Sequence, residues 1–192
     1  MAEPAPGTNA TAWVDDHFVG GHVALDFCNT IYRRFPELGA ELLDSPPTFH
    51  RWLHRTGLVA DSTGEIDDAA LDAALNLRSS LWQAFDAHTK GRTVGPSTLA
   101  HVLEHALQGS LHVSVDERGA IAAAGPQGAV AALALAALQL LLHPPTPAVR
   151  TCDGCGWFFI DTSRARRRRW CSMKTCGNDH KVARYRASHA SS

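Results

Sequence analysis

Four of the five cysteines stand in two close pairs near the C-terminus: Cys152 with Cys155, and Cys171 with Cys176. The spacing C-x2-C-x15-C-x4-C lets two short turns meet, and it is typical of a structural zinc site in which four sulfurs hold the metal tetrahedrally. A segment this short cannot bury enough apolar surface to fold alone, so a metal cross-link gives it a reason to be ordered. We therefore predict a structural Zn²⁺ ion on these four cysteines.

Other uses of these cysteines are less favoured by the sequence. Disulfides are typical of exported proteins, and nothing in the chain signals secretion. A thioredoxin-like redox pair needs a C-x-x-C beside a βαβ pattern, which the sequence lacks. Two alternatives stay open at this level: an iron–sulfur cluster, which also uses four thiolates, and a Cys3His zinc site with His180 in place of Cys176. The fifth cysteine, Cys28, is expected to be a small core residue.

The net charge of −1 conceals a strong asymmetry between the two parts of the chain. Residues 150–192 contain ten Lys and Arg against three acids, a surplus of seven positive charges. Residues 1–149 contain eight basic and sixteen acidic residues, a surplus of eight negative charges. Such a split indicates an anionic partner for the basic part, although it is equally compatible with the two parts docking on each other.

Two segments resemble known families. The residues W-C-S-M-K-T-C-G-N, Trp170 to Asn178, follow a C-x-x-C and an arginine run, and together they resemble the CGNR zinc finger. The residues F-V-G-G-H-V-A-L-D-F-C-N-T, Phe18 to Thr30, resemble the opening of the ABATE domain that usually precedes this finger. The resemblance implies a stress-induced transcription regulator. One position departs from the pattern: the arginine that names the CGNR motif is Asp179 here, which would remove a phosphate contact and add a repulsion.

Periodicity and turn residues predict a mainly α protein. Helices are expected from Pro46, from Asp67-Asp68 and from Pro96; a β-hairpin at Leu111–Ala123 precedes a buried apolar helix that includes Ala129–Leu142. His22–Thr30 fits a strand or a helix, and the resemblance favours a helix. We predict an orthogonal helical domain with one hairpin and a small zinc-ribbon-like module ending in a helix that Asn178 caps. The bounds are a disordered tail (1–14), a helical ABATE-like domain (15–143), a Pro-rich linker (144–148) and a CGNR-type zinc finger (149–192).

The expected function is that of a zinc-dependent transcription regulator that binds nucleic acid, and duplex DNA above all. Guanidinium groups bind phosphate oxygens bidentately, so the basic residues of the finger are the candidates for this contact. They are Arg164, Arg166, Arg167, Arg168, Arg169, Lys174, Lys181, Arg184 and Arg186. The alternative is a zinc-ribbon adapter that docks on an acidic protein and does not touch nucleic acid.

Three polar residues in apolar surroundings, Asp26, Asn29 and Arg78, are candidates for a ligand pocket in the helical domain, although capping and a structural ion pair are the simpler roles for them. A small molecule or a protein could deliver the signal there, and a homodimer is compatible with the sequence. No catalytic motif is present, and four thiolates leave no open coordination position, so we do not expect an enzyme. Free cysteines and the lack of an export or membrane-spanning segment predict a cytoplasmic protein.

Overall fold

The computed structural model of the chain describes residues 11–59 and 65–189. These residues form six α-helices and two small antiparallel sheets, so the predicted mainly α class is confirmed. The helices are α1 (Val23–Cys28), α2 (Pro46–Thr56), α3 (Asp68–Thr89), α4 (Pro96–Gln108), α5 (Gly125–Leu142) and α6 (Asn178–His189). Strands β1 (Val113–Val115) and β2 (Ile121–Ala123) form the predicted hairpin, although Leu111 and His112 belong to a 3₁₀ turn (Ser110–His112) and not to its first strand. Strand β3 (Val149–Thr151) pairs with β4 (Phe158–Ile160).

The helix ends follow the turn residues in the sequence. The side chain of Asp67 accepts a hydrogen bond from the amide of Ala70 at 2.8 Å and caps α3. Helices α2 and α4 begin at the proline that the sequence indicates, where a missing N–H costs nothing. Gly57 ends α2 with a φ of +71°, a backbone conformation that glycine adopts without strain.

Helix α5 is the centre of the helical domain. It packs against α1, α3 and α4, and most of its alanines and leucines are buried. By length and composition alone this helix could cross a membrane, but 61% of it is buried inside the protein. The prediction of a buried core helix is therefore confirmed, with a start four residues before Ala129.

The segment that the sequence left between strand and helix is the short helix α1. The imidazole Nδ1 of His22 accepts a hydrogen bond from the amide of Ala24 at 3.2 Å and caps its start. All residues of α1 from Ala24 to Cys28 are buried. A helix that is covered on every side shows no amphipathic period, which explains why periodicity could not decide the question.

The zinc-finger segment docks on the helical domain through apolar contacts and backbone hydrogen bonds. The Asn29 side chain donates to the carbonyl of Phe158 at 2.9 Å and accepts from its amide at 2.8 Å. The indole N–H of Trp157 donates to the carbonyl of Ile31 at 2.6 Å. The ring of Phe158 lies 6.0 Å from that of Phe85, between the centroids, inside the main core. The two segments therefore share one core across the proline-rich linker.

The predicted tail, residues 1–14, lies mostly outside the described residues. Trp13 belongs to the folded part, since its indole N–H donates to the carbonyl of Thr48 at 3.0 Å and its ring packs against Phe18. Ordered structure therefore begins upstream of residue 15, where the sequence placed the start of the domain. The division at residues 144–148 stays a prediction.

The Asn29 contact gives a direct test of this docking. Asn29→Ala leaves the buried amide and carbonyl of Phe158 without partners, and we expect the free energy of unfolding to fall by about 2–4 kcal/mol. Urea denaturation of the full chain measures it. Asn76→Ala, at an exposed position of α3, is the matched control and should change stability by less than about 0.5 kcal/mol. Equal effects of the two changes would contradict the proposed role of Asn29.

Candidate metal centre and basic surface

The four paired cysteines meet at one point. Their sulfur atoms all lie within 4.8 Å of one another. The Sγ atoms of Cys155 and Cys171 are 3.7 Å apart, and those of Cys171 and Cys176 are 3.8 Å apart. A tetrahedral zinc ion with bonds of about 2.3 Å to sulfur requires sulfur atoms about 3.8 Å apart. The donor set and its spacing therefore fit Zn²⁺.

Two turns present these sulfurs. In the first, the amide of Gly156 donates to the carbonyl of Cys152 at 3.0 Å, and the amide of Gly154 approaches the Cys152 Sγ at 3.4 Å. Gly156 has a φ of +78°, and a Cβ atom there would lie 2.7 Å from the Cβ of Arg34. Any other residue would strain this turn and push the helical domain away.

The second turn begins at Ser172, not at Asn178. The Ser172 hydroxyl accepts a hydrogen bond from the amide of Lys174 at 3.2 Å. The backbone carbonyl of Ser172 accepts one from the amide of Gly177 at 3.0 Å, which closes one wide helical turn, Met173–Gly177. This turn runs directly into α6, so Asn178 is already helical. The prediction that Asn178 caps the helix is therefore wrong, because the metal-bearing turn itself starts it.

Thiol chemistry separates the cluster from the fifth cysteine. The four clustered thiols hydrogen-bond one another, which lowers the pKa of Cys152 and raises the pKa of Cys155 and of Cys171. Thiolate is the form that binds a metal. Burial raises the pKa of Cys28 to about 12, so Cys28 stays a neutral core thiol, as expected. His180 is not in the cluster; its ring packs on Trp170 with centroids 4.7 Å apart.

Comparison with known proteins agrees with this geometry. A sequence model of the ABATE family, described as "Putative stress-induced transcription regulator", matches residues 21–144, more than half of the chain. The chain belongs to the ABATE family. A second model, of the CGNR zinc finger, matches residues 149–189. No curated protein matches the chain. The chain carries the CGNR finger, and the four paired cysteines of this finger converge. These four cysteines therefore hold a structural zinc ion.

Three of the nine predicted phosphate-binding residues have acceptors within the protein. The Arg168 guanidinium donates to the carbonyl of Cys171 and lies 5.0 Å from the ring centroid of Phe159. Arg169 pairs with Asp153 at 2.6 Å, and Lys174 pairs with Asp16 at 3.1 Å. Arg168 and Arg169 therefore stabilise the two cysteine-bearing turns, and Lys174 helps to hold the finger on the helical domain.

The other six cations form what we call the basic surface. Three lie in the loop between β4 and the second turn, and three lie on α6, none of whose residues is buried. All six are exposed, and none has a side-chain ion pair among the residues that the structure describes. They are Arg164, Arg166, Arg167, Lys181, Arg184 and Arg186.

Asp161 shapes the loop that carries the first three of these cations. Its buried carboxylate accepts from the Ser163 hydroxyl at 2.6 Å and from the Arg168 amide at 2.8 Å. Burial by itself would raise the pKa of Asp161, but the hydrogen bonds from Ser163 and Arg168 outweigh it and lower the pKa. The residues Asp161-Thr162-Ser163 predict a polar turn at this point, because the pattern Asp-x-Ser is typical of one.

The structure does not bring Asp26, Asn29 and Arg78 into a ligand pocket. Each is buried and hydrogen-bonded within the fold, so that prediction lacks support. Asp26 accepts from the amide of Gly20 at 2.7 Å. Arg78 pairs with Glu41, at 2.7 Å for one of the two contacts, and not with Asp26.

Asp179, at the position of the motif arginine, is exposed in the first turn of α6. A carboxylate there suits the positive end of the helix dipole. It also lies beside the cleft that Cys155 and Cys176 line, where phosphate contacts would be weakened by its charge. The replacement of the motif arginine thus favours the helix over an anion at this point.

Metal removal should unfold the finger. We expect one zinc per chain by elemental analysis, and Cys152→Ser should lose the metal, because three thiolates cannot complete a closed tetrahedral site. Cys28→Ala, the matched control outside the cluster, should keep one zinc per chain. Retention of zinc by Cys152→Ser, or its loss from Cys28→Ala, would contradict this assignment.

Asp26 predicts a pH dependence of stability. Burial raises its pKa to about 7, whereas the unfolded chain releases this proton near pH 4. Between these values the folded protein binds more protons, so the free energy of unfolding falls as pH rises, by at most about 1.4 kcal/mol per pH unit. Urea denaturation from pH 5 to pH 8 should show this decline, and Asp26→Asn should lack it. Parallel pH profiles for the two proteins would show that Asp26 is not responsible.

Proposed function

We propose that the zinc finger binds duplex DNA through the basic surface and that the protein acts as a DNA-binding transcription regulator. The observation that carries the proposal is that six exposed cations of the finger have no acidic partner in the described part of the chain. A bare surplus of this kind favours polyanions, because each cation that neutralises a phosphate releases condensed counterions from DNA.

The zinc ion does not account for these cations. A Zn²⁺ ion with four thiolates carries a net charge of about −2, which two or three nearby cations balance. Arg168 bonds the carbonyl of Cys171, and Arg169 pairs with Asp153 beside Cys152. Arg168 contributes to that compensation, whereas the charge of Arg169 is already balanced by Asp153. The six cations of the basic surface exceed what the remaining charge requires.

Docking of the two parts does not consume the basic surface either. The joint consists mainly of side-chain hydrogen bonds to backbone groups and of apolar contacts made by Trp157 and Phe158. Of the nine predicted cations, Lys174 alone pairs with an acid of the helical domain among the described residues. The acidic helical domain thus lies beside the finger, but its carboxylates do not neutralise the basic surface.

The proposed contacts are mainly with the phosphate backbone, which gives affinity without sequence information. Base readout requires side chains that enter a groove, and an exposed helix fits the major groove. Lys181, Arg184 and Tyr185 lie within one turn of each other on the exposed α6, and we assign them this role. We propose that the protein is cytoplasmic. The cytoplasm is reducing, so it keeps cysteines out of disulfides, and it also contains DNA.

Salt-titrated DNA binding tests the proposal. Each phosphate contact contributes about 0.9 to the slope of log affinity against log salt concentration. We expect the double variant Arg167→Gln, Arg184→Gln to reduce this slope by about two and to weaken binding at about 50 mM salt. Asp179→Arg should act in the opposite direction, since it restores the motif cation.

Arg118→Gln, which removes one positive charge in the turn of the hairpin, is the control outside the finger and should leave the slope unchanged. Zinc content, measured on every variant, confirms that the finger is intact. If the metal-loaded protein ignores duplex DNA at about 50 mM salt, the proposal fails and an adapter that docks on an acidic protein becomes the better account.

A further inference from the structure

A large open cavity lies where the helical domain meets the finger, away from the zinc ion. Its volume is about 890 Å³, within the range of small-molecule sites. The end of α3 and the Arg34–Phe35 loop line one side, and the linker with β3 and Arg166 lines the other. Both parts of the chain therefore contribute to it.

The charges at this cavity favour an anion. Four cations line it, Arg34, Lys90, Arg150 and Arg166, against two acids. Both acids are already engaged: Asp86 pairs with Lys90 at 2.7 Å and with Arg92 at 2.6 Å, and Asp161 pairs with Arg150 at 3.6 Å besides accepting from Ser163 and the Arg168 amide. The lining thus keeps a positive surplus after its internal pairs are made.

Arg34 is the residue with the greatest need of a partner. Its guanidinium lies 4.7 Å from the ring centroid of Trp82 and donates one long hydrogen bond, 3.4 Å, to the carbonyl of Cys28. No carboxylate pairs with it among the described residues. Burial lowers the pKa of Arg34 to about 10, which shows how poorly its charge is solvated. The Nε of Arg34 and the indole nitrogen of Trp82 are both buried without a hydrogen-bond partner. An oxyanion in the cavity would supply the charged partner that the Arg34 guanidinium lacks.

We propose that this cavity binds a small organic oxyanion, a carboxylate or a phosphate monoester, whose charged group contacts Arg34 and Arg166. The apolar remainder of such a molecule fits against Trp82, Phe35 and the linker prolines Pro145 and Pro147, which form the rest of the lining. The site differs from the one that the sequence indicated at Asp26, and it holds whether or not the finger binds DNA.

The indole N–H signal of Trp82 in nuclear magnetic resonance spectra reports on this cavity directly, and Trp82→Phe identifies the signal. The probes are benzoate and phenyl phosphate, added to the zinc-loaded full chain, with phenol as the uncharged control. We expect a saturable shift of the Trp82 signal with at least one of the two anions and none with phenol. The anion that gives the lower Kd identifies the charged group.

Matched variants locate the anion. Arg34→Gln should weaken binding at least tenfold, whereas Arg33→Gln, the same change one residue away and outside the lining, should change Kd less than twofold. Arg166→Gln, in an exposed loop where misfolding is not expected, should also weaken binding at least threefold, with Arg164→Gln as its control. If Arg34→Gln loses its zinc, Arg34→Lys takes its place. This change keeps the positive charge but removes the planar guanidinium, and it should also weaken binding at least tenfold.

Three results would overturn the proposal. The first is the absence of a saturable shift with either anion up to about 10 mM. The second is equal loss of binding in the lining variants and their controls. The third is a Trp82 shift that appears with a DNA duplex but with neither small anion, which would make the cavity part of a nucleic-acid interface.

Discussion

The four sulfur atoms around one zinc ion are the constraint on which the finger depends. Between Cys152 and Cys176 the chain buries only a small apolar cluster, centred on Trp157 and Phe159, and the metal holds together turns that are distant in sequence. The wide turn at Ser172 starts α6, so the metal also sets the direction in which that helix leaves the module. The positively charged residues therefore take fixed positions on a segment whose own apolar cluster is small.

A second constraint fixes this small module on the ABATE domain. The Asn29 side chain hydrogen-bonds both the amide and the carbonyl of Phe158. Gly156, which has no Cβ, lets Arg34 pack closely against the first cysteine turn. Because apolar rings and backbone groups form this joint, docking and electrostatics are separable in this protein. The finger is held in place while the basic surface stays free of acidic partners within the described residues. The same joint creates the cavity at the end of α3, which makes it a place where a small ligand would touch both parts at once.

Much of this architecture could be predicted from local signals, and the rest depended on distant pairings. Proline and aspartate at helix starts and the spacing of the cysteines are local, so the helix positions and the metal cluster followed from the sequence. The partner of Arg78 is Glu41 and that of Asn29 is Phe158, 37 and 129 residues away, and no pattern indicates such pairs. The polar residues in an apolar setting therefore suggested a ligand pocket. In the fold, they instead form hydrogen bonds and an ion pair that hold distant segments together. Asn178 was misjudged for a related reason, since the helix start is set by the metal turn before it.

The coordination shell of the metal is the most direct measurement of the central claim. X-ray absorption at the zinc edge of the purified full chain should show four sulfur neighbours at about 2.3 Å and no lighter atom in the first shell. A nitrogen or oxygen neighbour in place of one sulfur, or a chain purified without zinc that keeps the fold of its finger, would contradict the account.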